Sequence, residues 1–196
     1  ILETHPMPPR TSTDINLADA RERLREGLNT HALKKGEFVL ASGARSNFYI
    51  NVKEICLRGE YLRLVGELLW PMMAELEPDA VGGMTLGADP IVSAVTIIAA
   101  EHGVDCPALI VRRETKDHGT GRRIEGPFKP GMRVAVVEDV TTTGQSARNA
   151  ADAIIEAGGK VVGVYSVMNR EAGADQMFAD LGWPFKAIFG MRDLNL

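Results

Sequence analysis

Residues 134–147 read VAVVEDVTTTGQSA. A short apolar run closes on two acids, Glu138 and Asp139, and opens into three threonines, a glycine, a glutamine and a serine. Branched apolar residues in an unbroken run suit a strand buried on both faces. The pattern predicts a strand at 133–138, a loop, and a helix at about 144–157. Exposed N–H groups at the start of such a helix, assisted by its dipole, bind anions. Gly144 lets the backbone approach closely, and the hydroxyls of Thr141, Thr142, Thr143 and Ser146 add donors. A solvated turn capped by one of those hydroxyls is the competing use of the same residues. No Gly-Lys-Ser/Thr follows and no G-x-G-x-x-G is present, so neither a Walker loop nor a dinucleotide fingerprint is in play. The question is why two negative charges directly precede a site for an anion.

Outward from this stretch, strands and helices alternate. A helix is expected at 59–76, a strand at 80–82, a helix at 90–102 and a strand at 108–111. Residues 113–130 are polar and without period, and read as a long loop. A strand at 160–168, a short helix at 174–181 and a strand at 185–189 follow the central motif. This alternation predicts an α/β fold with a parallel sheet covered on both faces, whose ligands bind beyond the carboxyl ends of the strands. Before residue 59 the pattern differs. Asp14 can cap a helix running to about residue 35, with Ile15, Leu17, Leu24, Leu28 and Leu33 as its apolar stripe and Gly36 as its stop. GEFVLASGARSNFYIN at 36–51 then reads as strand, turn at Ser42-Gly43, and strand. Residues 1–13, rich in Pro and Thr, read as a mobile tail. The remainder, 14–196, reads as a single domain.

The bulk numbers fit one globular unit: 196 residues, 45% apolar and 24% charged. A net charge of −4 gives no electrostatic case for nucleic acid or an anionic membrane. The longest nearly apolar stretch, 90–100, is about half of what a bilayer requires. No basic segment precedes an apolar run near residue 1, so a cytoplasmic location is expected. Cys56 and Cys106 match no metal-ligand spacing and are expected to be buried free thiols.

The central motif resembles the phosphoribosyl pyrophosphate (PRPP) motif of type I phosphoribosyltransferases: four apolar residues, two acids, an apolar residue and a Thr/Gly-rich loop. The resemblance implies that the loop Thr141–Ser146 takes the 5′-phosphate of a ribose, while Glu138 and Asp139 address its hydroxyls. The acids can also hold Mg²⁺, mainly bound through PRPP, directly or through water, and stabilise positive charge developing on the sugar. VRRETKDHGTGRR at 111–123 resembles the mobile catalytic loop of orotate phosphoribosyltransferases, with Arg112, Arg113, Lys116 and His118 at matching positions. That implies cations for the departing pyrophosphate, Lys116 foremost and His118 as a lesser donor or proton shuttle. Arg170, just past a strand end, matches an arginine that pairs with the carboxylate of orotate.

The same resemblance assigns PRPP contacts to Arg112, Arg113, Lys116, His118, Glu138, Asp139, Val140, Thr141, Thr142, Thr143, Gly144, Gln145 and Ser146. It assigns catalytic roles to Lys116, His118 and Asp139, and orotate contacts to Thr142, Arg170 and Tyr49. The segment 36–51 is similar to the family's hood, which would span about 14–58 plus the chain end, over a core at about 59–190. The implied fold is a central parallel sheet of about five strands with that small hood. The implied reaction turns orotate and PRPP into orotidine 5′-monophosphate and pyrophosphate, in pyrimidine synthesis. The implied assembly is a homodimer whose loop 113–124 reaches the partner's site. The chain departs from the pattern at Ala41 and Gly87, where some members carry lysines, the second of which reaches pyrophosphate. It shares T-L-G-A-D-P at 85–90 with another branch. Two other readings stay open: a phosphoribosyltransferase for another base, and a regulator of this fold that binds PRPP or a nucleotide without turnover.

Overall fold

The computed structural model describes residues 15–39, 45–114 and 123–196. Helix α1 spans Leu17–Gly27 and is capped by Asn16, whose side-chain oxygen accepts from the N–H groups of Ala18 and Asp19 at 2.9 and 3.3 Å. The expected cap, Asp14, and the tail at 1–13 lie outside the described residues. The helix is shorter than expected. It loosens into a π-helical turn at Leu28–Ala32, and the chain is already extended at Leu33. Leu24, Leu28 and Ala32 are fully buried, so the apolar stripe is used, but pairing of Leu33 with Ile50 wins over a further helical turn. Strands β1 (Leu33–Val39) and β2 (Arg45–Ile50) form an antiparallel hairpin. Gly36 therefore lies inside a strand, at φ +150° beside a register shift between Lys35 and Phe38, where it serves a bulge and not a helix stop. The expected turn at Ser42-Gly43, and Ala41, lie outside the described residues.

A single-turn helix α2 (Lys53–Cys56) leads to α3 (Gly59–Ala74), β3 (Ala80–Met84), α4 (Asp89–Glu101) and β4 (Ala108–Val111). Then come a two-residue strand β5 (Ile124–Glu125), β6 (Arg133–Thr141), α5 (Gln145–Glu156), β7 (Lys160–Asn169), α6 (Ala174–Asp180) and β8 (Phe185–Phe189). The main sheet has six strands in the order β5-β4-β3-β6-β7-β8. All pairs are parallel except β4–β5. The antiparallel edge strand β5 interrupts the stretch expected to be loop throughout: Ile124 and Glu125 pair with Val111 and Ile110. Two residues are too few to leave a periodic signal.

The central strand β6 sorts the core. Ala135 and Val137 pack into the layer that contains α1, α3 and α4, while Val134 and Val136 pack into the layer with α5 and α6. Both faces are covered, which is why the run reads as continuously apolar. The chain end is fastened to α1: Arg21 donates to Asp193 at 2.8 Å and to the Ile188 carbonyl at 3.1 Å. Cys56 and Cys106 are free and buried.

Candidate active site

Strand β6 runs three residues further than its apolar pattern, through Thr141, and so carries both acids to the carboxyl edge of the sheet. Glu138 and Asp139 are each 7% exposed. Successive residues of a strand face opposite ways, so Glu138 continues the row of Val134 and Val136, and Asp139 that of Ala135 and Val137. Glu138 lines a hollow of about 100 Å³ together with Val140, Thr141, Thr142, Thr143, Gly144, Gln145 and Ser146. Asp139 faces the hairpin side, where its Oδ2 lies 3.1 Å from the ammonium of Lys53. Its Oδ1 accepts from the N–H of Val140 at 2.9 Å.

Burial, and then the charge of Asp139, push the Glu138 carboxyl up to about 9, against the pull of Lys53 and Arg113. Burial thus disfavours a second full charge beside the first, which eases the approach of an anion. Oε2 of Glu138 and the buried Oγ1 of Thr141 have no hydrogen-bond partner among the described residues. A ligand with hydroxyls and phosphate oxygens supplies what both lack.

The loop after β6 is built for an anion. Gly144 stands at φ +85°, the left-handed region that glycine tolerates, and begins α5. No side chain caps that helix, so its first N–H groups stay open to a ligand. The competing reading, a hydroxyl-capped turn, is not the arrangement found. Thr142 and Thr143 are exposed at the rim, Val140 is half-buried, and Ser146 is exposed on the first turn. Gln145 instead donates along its own helix to Asn149 at 2.8 Å.

Three other segments close on the acids. The loop between β3 and α4 passes directly over Asp139: a Cβ built on Gly87 would stand 2.6 to 2.8 Å from its carboxylate. In that loop Thr85 donates to Asp89 at 2.9 Å, while the other Asp89 oxygen is buried without a partner. At the end of β7, the N–H of Arg170 donates to the Thr141 carbonyl at 2.8 Å. The Arg170 guanidinium lies over the Phe48 ring of β2, 5.3 Å from its centroid. Phe48 thus meets Arg170, whereas Tyr49 is turned to the opposite side of the strand and packs on Phe38 at 5.7 Å. The structure does not bring Tyr49 to the other expected site residues in this chain; alternation along β2 presents its neighbour instead.

Arg112 directly follows β4, its N–H donating to the Arg123 carbonyl at 2.8 Å and its guanidinium 3.3 Å from Glu125. Arg113 is exposed, and its charge reaches Glu138. Lys116 and His118 lie outside the described residues. Sequence reasoning missed Lys53 altogether. It sits 86 residues from Asp139, and no spacing rule connects them.

Among the described residues no cluster of three or more His, Cys, Asp or Glu side chains forms a metal cage. Mg²⁺ does not need one, since it is commonly held by one or two carboxylates and substrate phosphates. The buried oxygens of Glu138, Asp139 and Asp89 fit that use. A larger hollow, about 280 Å³, lies near Arg123, Phe128 and Ala153, but it contains none of the acid pair or the anion loop.

Against known proteins, the chain is 45% identical over 186 residues to an orotate phosphoribosyltransferase of Corynebacterium glutamicum, covering 95% of this chain and 99% of that one. The chain belongs to the orotate phosphoribosyltransferase family. Solved structures agree. The orotate phosphoribosyltransferase of Mycobacterium tuberculosis H37Rv, in complex with Fe(III) dicitrate, superposes with a TM-score of 0.81 at 36% identity. It matches 90% of this chain and 99% of its own. The same enzyme in complex with PRPP gives a TM-score of 0.75 at 33% identity, with the same coverage. No family model matches the chain. The expected type I phosphoribosyltransferase fold is thus the fold of this protein.

Proposed function

We propose that this chain transfers the 5-phosphoribosyl group of PRPP to orotate, giving orotidine 5′-monophosphate and pyrophosphate in pyrimidine synthesis. One observation carries the reading: a buried acid pair at the end of β6 adjoins an uncapped, hydroxyl-rich helix start, with the Arg170 guanidinium nearby. The loop Thr141–Ser146 would grip the 5′-phosphate through N–H groups and hydroxyls. Glu138 and Asp139 would accept the ribose hydroxyls and stabilise positive charge as the bond from the anomeric carbon to pyrophosphate breaks. Pyrophosphate leaves with the electron pair of that bond, and a ring nitrogen of orotate bonds to the carbon while its proton passes to the pyrophosphate or to solvent.

Arg170 supports orotate as the acceptor, since its fork suits a planar carboxylate and the Phe48 ring beneath it, 5.3 Å away, helps to position it. Phe48 and Thr142 would complete the base site. Lys116, His118, Arg112 and Arg113 would neutralise the leaving pyrophosphate. Mg²⁺, held by PRPP with Glu138 or Asp139 through water, would offset phosphate charge. Hairpin β1–β2 and α1 act as the hood over the core in this reading, and two copies form a dimer with loop 113–124 serving the partner's site. No helix among the described residues is long and apolar enough to cross a membrane, which is compatible with work in the cytoplasm.

The acceptor assignment is tested by Arg170→Ala. The orotate KM should rise at least about tenfold, the effect of losing one charge-assisted pair, while the PRPP KM stays within about twofold. An unchanged orotate KM would remove Arg170 from the base site.

A further inference from the structure

Lys53 holds a position that the reading above leaves without a role. It opens α2, whose Val52, Ile55 and Cys56 neighbours are fully buried, so the backbone beneath it is anchored in the core. Its ammonium lies 3.1 Å from Asp139, with the lysine side chain 42% exposed and the aspartate side chain 10% exposed. The cation is the more exposed partner and the carboxylate the more buried one. Cys56, one turn along α2, also feels Asp139: burial first, then that charge, pushes its thiol up to about 12. Two positions of α2 therefore register the same carboxylate.

A second segment packs tightly on Asp139. The backbone of Gly87 lies so near that a Cβ there would meet the carboxylate at 2.6 Å. The loop Thr85–Ala88 therefore sends no side chain across Asp139 from position 87. An incoming diphosphate carries several negative charges toward a carboxylate pair, and it needs fixed cations on the protein. Lys53 and Arg113 are the charges that already oppose the acids at Glu138, Lys53 the stronger of the two. Lys53 is set on an element of the folded body and does not depend on the loop at 113–124.

We propose that Lys53 is a PRPP-site residue: it neutralises Asp139 while the site is empty and donates to the diphosphate when ribose hydroxyls occupy that carboxylate. The step needs only rotation of a flexible four-carbon stem. It supplies from α2 the cation that the glycine at position 87 cannot. The inference rests on PRPP binding at the acid pair.

The test uses the full chain with Lys53→Met, Lys53→Gln and Lys53→Arg. Calorimetry without orotate measures the binding of PRPP, pyrophosphate and ribose 5-phosphate, each with Mg²⁺. Affinity for PRPP and pyrophosphate should fall about tenfold or more in the two neutral variants and recover to within about threefold in Lys53→Arg, the range for one charge-assisted contact. Ribose 5-phosphate should bind within about twofold of the parent throughout. In turnover, the PRPP KM should rise far more than kcat falls. Unchanged pyrophosphate binding in either folded neutral variant overturns the proposal. So does an equal loss for ribose 5-phosphate, which would make Lys53 only a support for Asp139. Failure of the unaltered chain to bind PRPP would instead overturn the site reading beneath it.

Discussion

Glu138 and Asp139 are neighbours with different surroundings. Asp139 has a lysine ammonium and a backbone N–H, while Glu138 has a buried oxygen with no partner and a carboxyl raised to about 9. The sign of the consequence follows from linkage. Below pH 4.5 Glu138 is protonated whether the chain is folded or not. Between about 4.5 and 9 the unfolded chain releases the proton and the folded chain keeps it, so stability declines as pH rises. Glu138→Gln removes this. Its Tm should exceed the parent's by roughly 10 °C at pH 8, with the gap closing toward pH 4.5. A gap that does not vary with pH, followed by thermal melts across that range, would contradict the shift and its cause. Activity should fall regardless, because an amide has one acceptor oxygen and cannot ionise beside a cationic sugar.

Individual elements differ in how much of them was legible. The strand, acids, loop and helix at 133–156 are contiguous, so their order and chemistry could be read directly from VAVVEDVTTTGQSA. Arg170 was legible for the same reason: the strand end that places it lies one residue away. The start of the chain was not. The apolar stripe from Leu24 to Leu33 is compatible with continued helix, and only pairing across the hairpin converts Leu33 to strand. The choice between Phe48 and Tyr49 also depends on that register, since both are aromatic and adjacent. Lys53 required the fold itself, because α2 and β6 meet only in three dimensions.

The loop element makes its own prediction. A Cβ at Gly144 would need a left-handed backbone and would stand 2.8 Å from the Phe178 ring. Gly144→Ala should cost about 1–3 kcal/mol of stability and weaken PRPP at least about tenfold, because α5 can no longer begin where its N–H groups face the phosphate. Denaturant melts and PRPP calorimetry check the two halves. A stable variant with unaltered PRPP binding would show that the helix start is not the phosphate site.

The whole molecule joins a five-stranded parallel core, with an antiparallel edge strand, to a hairpin and to α1, which the chain end fastens. Every described site residue lies at the carboxyl edge of the sheet or on the hairpin and α2 facing it. The proposed dimer is tested by mixing two inactive chains. Lys116→Ala should lower turnover far more than PRPP binding, and Asp139→Asn should abolish turnover. If loop 113–124 serves the partner, a mixed dimer carries one site with both defects and one with neither. An equal, randomly assorted mixture should then recover about a quarter of parent activity. No recovery in verified mixed dimers would place each loop in its own subunit's site.

The most direct test of the central claim follows the ultraviolet absorbance of orotate with PRPP and Mg²⁺, beside parallel reactions offered adenine, hypoxanthine or uracil. Orotate should be consumed only when PRPP and Mg²⁺ are both present, with one pyrophosphate released per orotate and the other bases left unchanged. Consumption of another base in preference to orotate, or PRPP binding with no turnover of any base, would contradict the account.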